Sequence, residues 1–197
     1  MLDLYQNDWA VLSSEGIKSL AGIDEAGRGA LAGPVVIAAV ILDYTLPIEG
    51  LNDSKKLSPK TRDSLYDSIT RCAKAWQIVE IHPSRIDEIN IRGATLEGFV
   101  KASKALNPDL FLIDGIDVPD HLKDVARAVI KGDGYHACIA AASILAKVHR
   151  DRLMHKLDGK YPEYGFAHHK GYGTMRHYQA LAAFGVCPIH RKTFRLN

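Results

Sequence analysis

The chain has 197 residues, 47% of them hydrophobic and 24% charged, with a formal net charge of +2. That balance is the composition of a soluble globular chain, and the length suits one domain with a core of its own. The polar, acidic opening Met1-Leu2-Asp3-Leu4-Tyr5-Gln6-Asn7-Asp8 does not read as a secretory signal, and the longest uncharged apolar run, Ala30–Leu42, is too short to span a bilayer. Cys72, Cys138 and Cys187 form no CxxC pair, so a reducing, cytoplasmic setting with the thiols as small core residues is expected. Charge is unevenly spread: residues 146–197 hold ten Lys or Arg against three Asp or Glu, and residues 1–145 hold fifteen against twenty. Six of the nine histidines also fall in the basic part. This asymmetry points to a polyanion partner, with a solvated basic face as the alternative.

Residues 1–18 form an N-terminal extension ahead of the first expected strand. Then comes Gly22-Ile23-Asp24-Glu25-Ala26-Gly27-Arg28-Gly29-Ala30-Leu31-Ala32-Gly33, an apolar run closed by two carboxylates and followed by a glycine-punctuated turn. Pro34–Leu42 is β-branched and apolar and reads as a buried strand. Strand alternation sends Asp24 and Glu25 to opposite faces, so both reach one site only if the pleat breaks, and Ala26-Gly27 is the expected break. Glycine lets backbone N–H groups approach a ligand closely, and Arg28 suits a phosphate. The spacing Gly27-x-Gly29-x-x-x-Gly33 loosely mimics a dinucleotide-binding fingerprint, but that motif needs a helix next, and Pro34 follows instead. A plain hairpin with surface charges remains the structural alternative.

Further along, Leu46–Leu57 is a loop rich in turn formers, and Ser58 with Pro59 predicts a helix running to about Ala73. Lys74–His82 alternates as a strand, Pro83–Ile89 reads as a short helix, and Arg92–Leu106 as another. Leu110-Phe111-Leu112-Ile113-Asp114-Gly115 repeats the grammar of an apolar run ended by a carboxylate. Val125–Ile130 leans toward strand, and Lys131-Gly132-Asp133-Gly134 closes it with another carboxylate. His136–His155 is a long alanine-rich helix with Ser143, Lys147 and Arg150 on one stripe. A loop dense in Tyr, Gly and His spans 161–174, a helix follows from Thr174 or Met175 to about Phe184, and the end is basic. The expected architecture is α/β, with a mixed sheet flanked by helices and a helical C-terminal portion.

Asp24, Glu25, Asp114 and Asp133 each end an expected strand, and in α/β sheets functional groups gather where strand ends face a crevice. Four neighbouring carboxylates persist only if cations neutralise them, and an oxygen-only set points to Mg²⁺ or Mn²⁺. Two such ions about 3.5–4 Å apart clamp the attacking water and the leaving oxygen in phosphodiester hydrolysis. Each carboxylate by itself has a plainer reading as a solvated loop residue.

Gly22–Gly29 followed by Leu31-Ala32-Gly33-Pro34-Val35 closely resembles the opening motif of type 2 ribonucleases H, the bacterial ones in particular. Asn52-Asp53-Ser54-Lys55-Lys56-Leu57, Leu112–Gly115, Lys131-Gly132-Asp133, Ala140–Val148, His169–Thr174 and His190-Arg191 continue the match in order, so it covers Ala21 to Arg195. The resemblance implies a ribonuclease H-like fold over 1–197 as a single catalytic domain, with about 157–197 as a substrate-contacting region. It implies an endonuclease for the RNA strand of RNA/DNA hybrids that also incises duplex DNA 5′ to a lone ribonucleotide. The metal-binding carboxylates of the family fall on Asp24, Glu25, Asp114 and Asp133, with two Mg²⁺ or Mn²⁺ ions. Its glycine–arginine–glycine element, which reads the 2′-hydroxyl and the adjoining phosphate through the backbone, falls on Gly27, Arg28 and Gly29. Its sugar-stacking tyrosine falls on Tyr172, and Ser54, Lys55, Lys147 and Arg150 match motifs that imply phosphate contacts. Gly134-Tyr135-His136 and His149 depart from the family pattern without removing a ligand. About twenty residues precede the first strand, which fits type 2 rather than type 3. A non-catalytic binding module of the same fold is the rival from another class. A monomer is the default expectation, and residues 193–197 are too short a signal to identify a clamp or polymerase contact.

Overall fold

The computed structural model describes residues 3–196; Met1, Leu2 and Asn197, the ends of the expected 1–197 span, lie outside the described residues. β1 (Leu20–Ala26) runs antiparallel to β2 (Val35–Ile41), and β2 antiparallel to β3 (Ala75–Ile81). On its other side β1 is parallel to β4 (Leu110–Asp114), and β4 is parallel to β5 (Ala126–Val129). The sheet order is therefore β3-β2-β1-β4-β5, the mixed sheet expected from a hairpin followed by β–α alternation. Every residue of β2 is buried, as its unbroken apolar run requires.

Most helices sit where the sequence places them, with two differences. α2 (Pro59–Cys72) starts from a Ser58 cap that accepts the Thr61 N–H. α3 (Pro83–Ser103) is interrupted at Asn90, whose φ of 60° leaves the helical region and whose side chain accepts the N–H of Arg92 and Gly93. That break is the boundary expected between a helix ending at Ile89 and one starting at Arg92. α4 (Ala137–Lys160) runs five residues past the expected end, through the breaker-like Asp158-Gly159. Leu157 packs on the C-terminal apolar cluster and Asp158 accepts the Ala167 N–H at 3.0 Å, so tertiary contacts carry the helix on. Next come the single turn α5 (Phe166–His169) and α6 (Met175–Phe184), the latter capped by Thr174.

The second difference is α1 (Asp3–Glu15), a helix inside what the sequence presents only as an extension. Its Asp8 is fully buried, accepting the Tyr44 hydroxyl and the Cys138 N–H at 2.9 Å each and pairing with His136 at 2.8 Å. A carboxylate there satisfies an orphan amide of the first turn of α4 and opposes the positive end of its dipole. The departure at 134–136 thus has a structural partner, since Asn7 also donates to the Tyr135 carbonyl. The other departure, His149, bonds Glu80 of β3 at 2.7 Å.

Alternation along β1 sends Leu20 and Ala26 into one apolar cluster with α4, and Ala21 and Ile23 into another with α3. The α4 side allows a very close approach. A Cβ on Gly22 would lie 2.1 Å from the Cys138 carbonyl carbon and 2.3 Å from the Ile139 nitrogen, both backbone atoms that cannot step aside. Gly22→Ala is therefore expected to push α4 off the strand that carries Asp24 and Glu25. Overpacking of this kind should lower Tm by roughly 4–10 °C, checked by calorimetry of the purified variant.

Candidate active site

Register brings the carboxylates together. Ile23 of β1 stands opposite Ile113 of β4, so the next residues, Asp24 and Asp114, leave neighbouring parallel strands at the same level. Both belong to the α4 face, in step with Leu20 and Ala26 of β1 and with Leu110 and Leu112 of β4. Glu25 points to the opposite face, as alternation demands, and the pleat does not break between the two acids, because β1 stays paired with β2 through Ala26. The chain leaves the sheet at Gly27, whose φ is +94°. Asp24 and Glu25 therefore reach one concavity by flanking the open end of the strand, without an irregular pleat. Asp133 lies beyond the end of β5, in the tight turn Gly132–Gly134 entered through Lys131 at φ 57°. The expected place was a strand end; the turn carries the carboxylate there instead.

The concavity has a volume of about 410 Å³ and is lined by Asp24, Glu25 and Asp114, by Gly27, Arg28 and Gly29, and by Ser54, Lys55, Lys147 and Tyr172. Arg62 and Ser143, to which the sequence assigns no site role, complete it. Asp133 stands behind this lining and is joined to it by Lys55, whose Nζ is 3.3 Å from Asp133 Oδ2.

Electrostatics show what the cluster lacks. Burial raises the Asp24 pKa well above the ordinary carboxylate value, and the charges of Glu25 and Asp114 raise it further. Burial also raises Glu25, although Arg28 at 3.3 Å works against it, and burial followed by the Asp133 charge raises Asp114. Burial works against the Lys55 ammonium, yet Asp133, helped by the charges of Asp53 and Asp24, holds that pKa up. Three acids held above their usual range mark a site that resists full ionisation until positive charge enters. The donor set is oxygen only, which fits a hard divalent cation. Among the described residues no three His, Cys, Asp or Glu side chains already form a metal-holding group. Two of the acids are engaged elsewhere, Glu25 with Arg28 and Asp133 with Lys55, and Asp114 accepts the Gly132 N–H at 2.6 Å.

The turn after Glu25 is held from behind. Arg191 is fully buried and donates to the carbonyls of Gly27 at 2.7 Å, Arg28 at 2.8 Å and Gly33 at 3.0 Å. Burial, helped by the nearby Arg150 charge, pulls its pKa down to about 9. Arg150, also fully buried, donates to the carbonyls of Pro34 at 3.0 Å and Ala32 at 3.1 Å. A Cβ on Gly27 would stand 2.0 Å from Arg150 Nε, so only glycine fits that corner. The expectation of an Arg150–phosphate contact is thereby corrected: Arg150 itself is interior, and its Nε and Nη2 bond the carbonyls of the turn. Ser54 lines the wall, but it is buried with its hydroxyl 3.0 Å from that of Ser143. Lys147 reaches Asp151 at 2.8 Å and stays partly exposed, and Lys55 is 80% exposed at its side chain. Tyr172 is 37% exposed, its ring 5.3 Å from the Arg150 guanidinium carbon. Sequence patterns assign no role to Arg191, His177 or His190, whose partners lie in other segments of the chain.

A family model described as Ribonuclease HII matches residues 21–197. The chain belongs to the ribonuclease HII family. Ribonuclease HII of Ruminiclostridium cellulolyticum is 51% identical over 186 residues, which cover 93% of this chain and 72% of that one. Among solved structures, ribonuclease H2 from Pyrococcus horikoshii superposes with a TM-score of 0.77 at 31% identity, covering 91% of this chain and 95% of the other. Bst-RNase HIII in complex with Mn²⁺ shares the fold, with a TM-score of 0.67 at 19% identity over 90% of this chain and 67% of its own. The chain is thus an enzyme, a ribonuclease H acting on RNA paired with DNA, from a family that uses divalent metals.

The raised acids yield a stability prediction. The folded pKa of Asp24 lies above its unfolded value, so ionisation subtracts stability as pH rises through the raised pKa. At neutral pH without metal, Asp24→Asn removes that charge while its amide oxygen still accepts the Glu25 N–H. Tm in EDTA should rise, by about 2–4 °C for each kcal/mol of strain relieved, and the stabilisation by added Mg²⁺ should shrink. A fall in Tm would show that the Asp24 charge supports the apo fold.

Proposed function

We propose that this ribonuclease H cuts the RNA strand of RNA/DNA hybrids and incises duplex DNA 5′ to a single embedded ribonucleotide, leaving a 3′-hydroxyl and a 5′-phosphate. One observation carries the reading: the Gly27–Gly29 turn, the Tyr172 ring and three acids open into a single concavity. Asp24, Glu25, Asp114 and Asp133 would hold two Mg²⁺ or Mn²⁺ ions, which supply Lewis acidity for water attack on phosphorus and for departure of the 3′-oxygen. With the carbonyls of Gly27 and Arg28 drawn inward by Arg191, the amides of the turn are left to meet a 2′-hydroxyl and its phosphate. The Tyr172 ring offers a stacking face to the neighbouring sugar. Lys55 and Arg28 neutralise acids in the free enzyme and are free to turn toward phosphates on binding. The three free thiols fit a cytoplasmic setting.

A second concavity of about 720 Å³ adjoins this one, sharing Arg62 and Lys147 with it and continuing past Arg152, Lys156 and Lys170. Its basic lining supports a track for the duplex backbone beyond the scissile bond. Replacing Lys147 and Lys156 with alanine should flatten the log–log salt dependence of binding by about one unit for each phosphate that is no longer neutralised. An unchanged slope would assign both side chains to the protein surface alone.

The decisive assay compares rates on a duplex with one ribonucleotide and on a continuous hybrid, each with and without Mg²⁺. Asp114→Asn should bind both substrates and cut neither, which separates the enzyme from a fold that only binds. Stacking of a ring on a sugar or base contributes about 1–3 kcal/mol, so Tyr172→Ala should slow incision at the lone ribonucleotide by roughly 5- to 100-fold, with a smaller loss on the hybrid. Tyr172→Phe should keep most of the activity. Equal losses on the two substrates would defeat the junction role.

A further inference from the structure

Two motifs near the end of the chain have no part in the chemistry above, the histidines at 169, 177 and 190 and the arginine beside the last of them. They are buried, they are not placed to touch a substrate, and their hydrogen bonds lead to the backbone of the two substrate-reading loops.

We infer that His190 and Arg191 are positioning residues that together fix the Tyr172 ring relative to the Gly27–Gly29 turn, and so set the enzyme's preference for a lone ribonucleotide. This rests on the proposed roles of that turn and that ring. Arg191 supplies one half of the tie, through its bonds to the Gly27, Arg28 and Gly33 carbonyls. His190 supplies the other half, through a relay whose protons the geometry assigns. The Cys187 N–H donates to His190 Nδ1 at 2.9 Å, so that nitrogen is the acceptor and the proton sits on Nε2. His190 Nε2 lies 3.0 Å from His177 Nε2, which must then accept. The His177 proton is left on Nδ1, where it donates to the Tyr172 carbonyl at 3.0 Å. The relay needs every ring neutral, and burial lowers the pKa of both members, His177 to about 4.

Consecutive residues carry the two halves, and consecutive Cα atoms are about 3.8 Å apart, so neither loop can shift without drawing on the other. The segment is itself pinned. Ala32 bridges His190, the Arg191 N–H donates to the Leu31 carbonyl at 2.9 Å, and the Gly33 N–H donates to the Ile189 carbonyl at 2.9 Å. The Leu31 N–H reaches across to the Gly171 carbonyl at 2.8 Å, which joins the exit of the turn to the residue before Tyr172. His169 closes the far side of the loop: its Nδ1 accepts the Gly171 N–H at 3.2 Å, and its carbonyl accepts the Tyr172 N–H at 2.9 Å. The tie therefore ends on the backbone of Tyr172 itself, which is where control of a ring's position has to act.

The test uses the full chain, three single variants and one double variant. His190→Leu removes the donor to His177. His190→Gln is the conservative rescue, since its amide nitrogen can occupy the position of imidazole Nε2. Tyr172→Ala is the reference. The readout is kcat/KM on a duplex with one ribonucleotide divided by kcat/KM on a continuous hybrid. His190→Leu should lower this ratio by about tenfold, the scale expected when a buried hydrogen bond is removed and its partner left unpaired. His190→Gln should restore it, and His190→Leu placed on Tyr172→Ala should lower it no further, because both act through one ring. A fluorine label on the Tyr172 ring reads the same tie without substrate: its NMR line should shift or broaden in His190→Leu and return in His190→Gln. If Tyr172→Ala lowers the ratio and His190→Leu does not, the positioning role is overturned. If Tyr172→Ala itself leaves the ratio unchanged, the reading of Tyr172 fails, and the fluorine line alone decides whether His190 holds the ring. A line that is the same in wild type and His190→Leu overturns the inference. So does a ratio that falls equally in the Leu and Gln variants.

Discussion

The turn that runs from Gly27 to Pro34 beside the acidic concavity depends on two buried guanidinium groups that have backbone carbonyls for partners instead of carboxylates. Arg150 comes from the long central helix and Arg191 from the C-terminal segment, and between them they gather the carbonyls of Gly27, Arg28, Ala32, Gly33 and Pro34. Burying a cation is costly unless its donors are used, and charge-assisted bonds to carbonyls offset much of that cost. A lysine could not do the same, because only a planar fork reaches several carbonyls of one turn at once. One donor, Arg150 Nη1, finds no partner among the described residues, and the same guanidinium lies over the exposed Tyr172 ring. Turning the carbonyls inward leaves the outer side of the turn to its amides and places two positive charges behind them. A surface built this way suits an anion without presenting a mobile side chain to it.

The acidic side follows the opposite logic. Asp24, Glu25 and Asp114 are held close by sheet register, an arrangement that subtracts stability when the acids ionise. The neighbours that balance them are bonded loosely. Lys55 and Arg28 sit at 3.3 Å from Asp133 and Glu25, on side chains that are 80% and 48% exposed. Exposed ion pairs of this sort contribute little and are readily exchanged. The turn that carries Asp133 is braced at its far end, where His136 and Tyr135 meet Asp8 and Asn7 of the first helix. The unusual residues after the fourth acid and the N-terminal helix therefore form one structural unit.

Much of this is legible in the sequence, and what is not shares a physical cause. Asp24 and Asp114 can be read because each ends an apolar run at a glycine-marked turn, a local pattern that strand geometry then aligns. The break in the third helix is visible for the same reason, since Asn90 and Gly93 sit at the junction itself. Arg150 misleads because helical spacing says which residues share a face, and not whether that face meets water. The central helix is buried on most sides, so on the stripe of Ser143, Lys147 and Arg150 only Lys147 meets water. The first helix is invisible because the residue that anchors it is an aspartate, whose value is set by an amide 130 positions away. Arg191 likewise acts on carbonyls 158 to 164 positions earlier, and no local window contains both partners.

The two sides together explain why the site is rigid in one half and adjustable in the other. In the proposed function, discriminating a ribose from a deoxyribose depends on one hydroxyl, so the groups that would read it must keep their places to within a fraction of a hydrogen-bond length. Buried donors bound to backbone carbonyls provide that, since moving the turn would strand several charge-assisted bonds at once. On the same proposal, holding cations and releasing product would require the acids to pass between different sets of positive partners. Exposed amines on long, flexible stems suit that exchange, whereas a buried guanidinium would lock the acids in one state. The sequence separates these tasks by placement. The cations that fix geometry are enclosed by the helix and the C-terminal segment, and the cations that balance charge stand at the lip of the crevice.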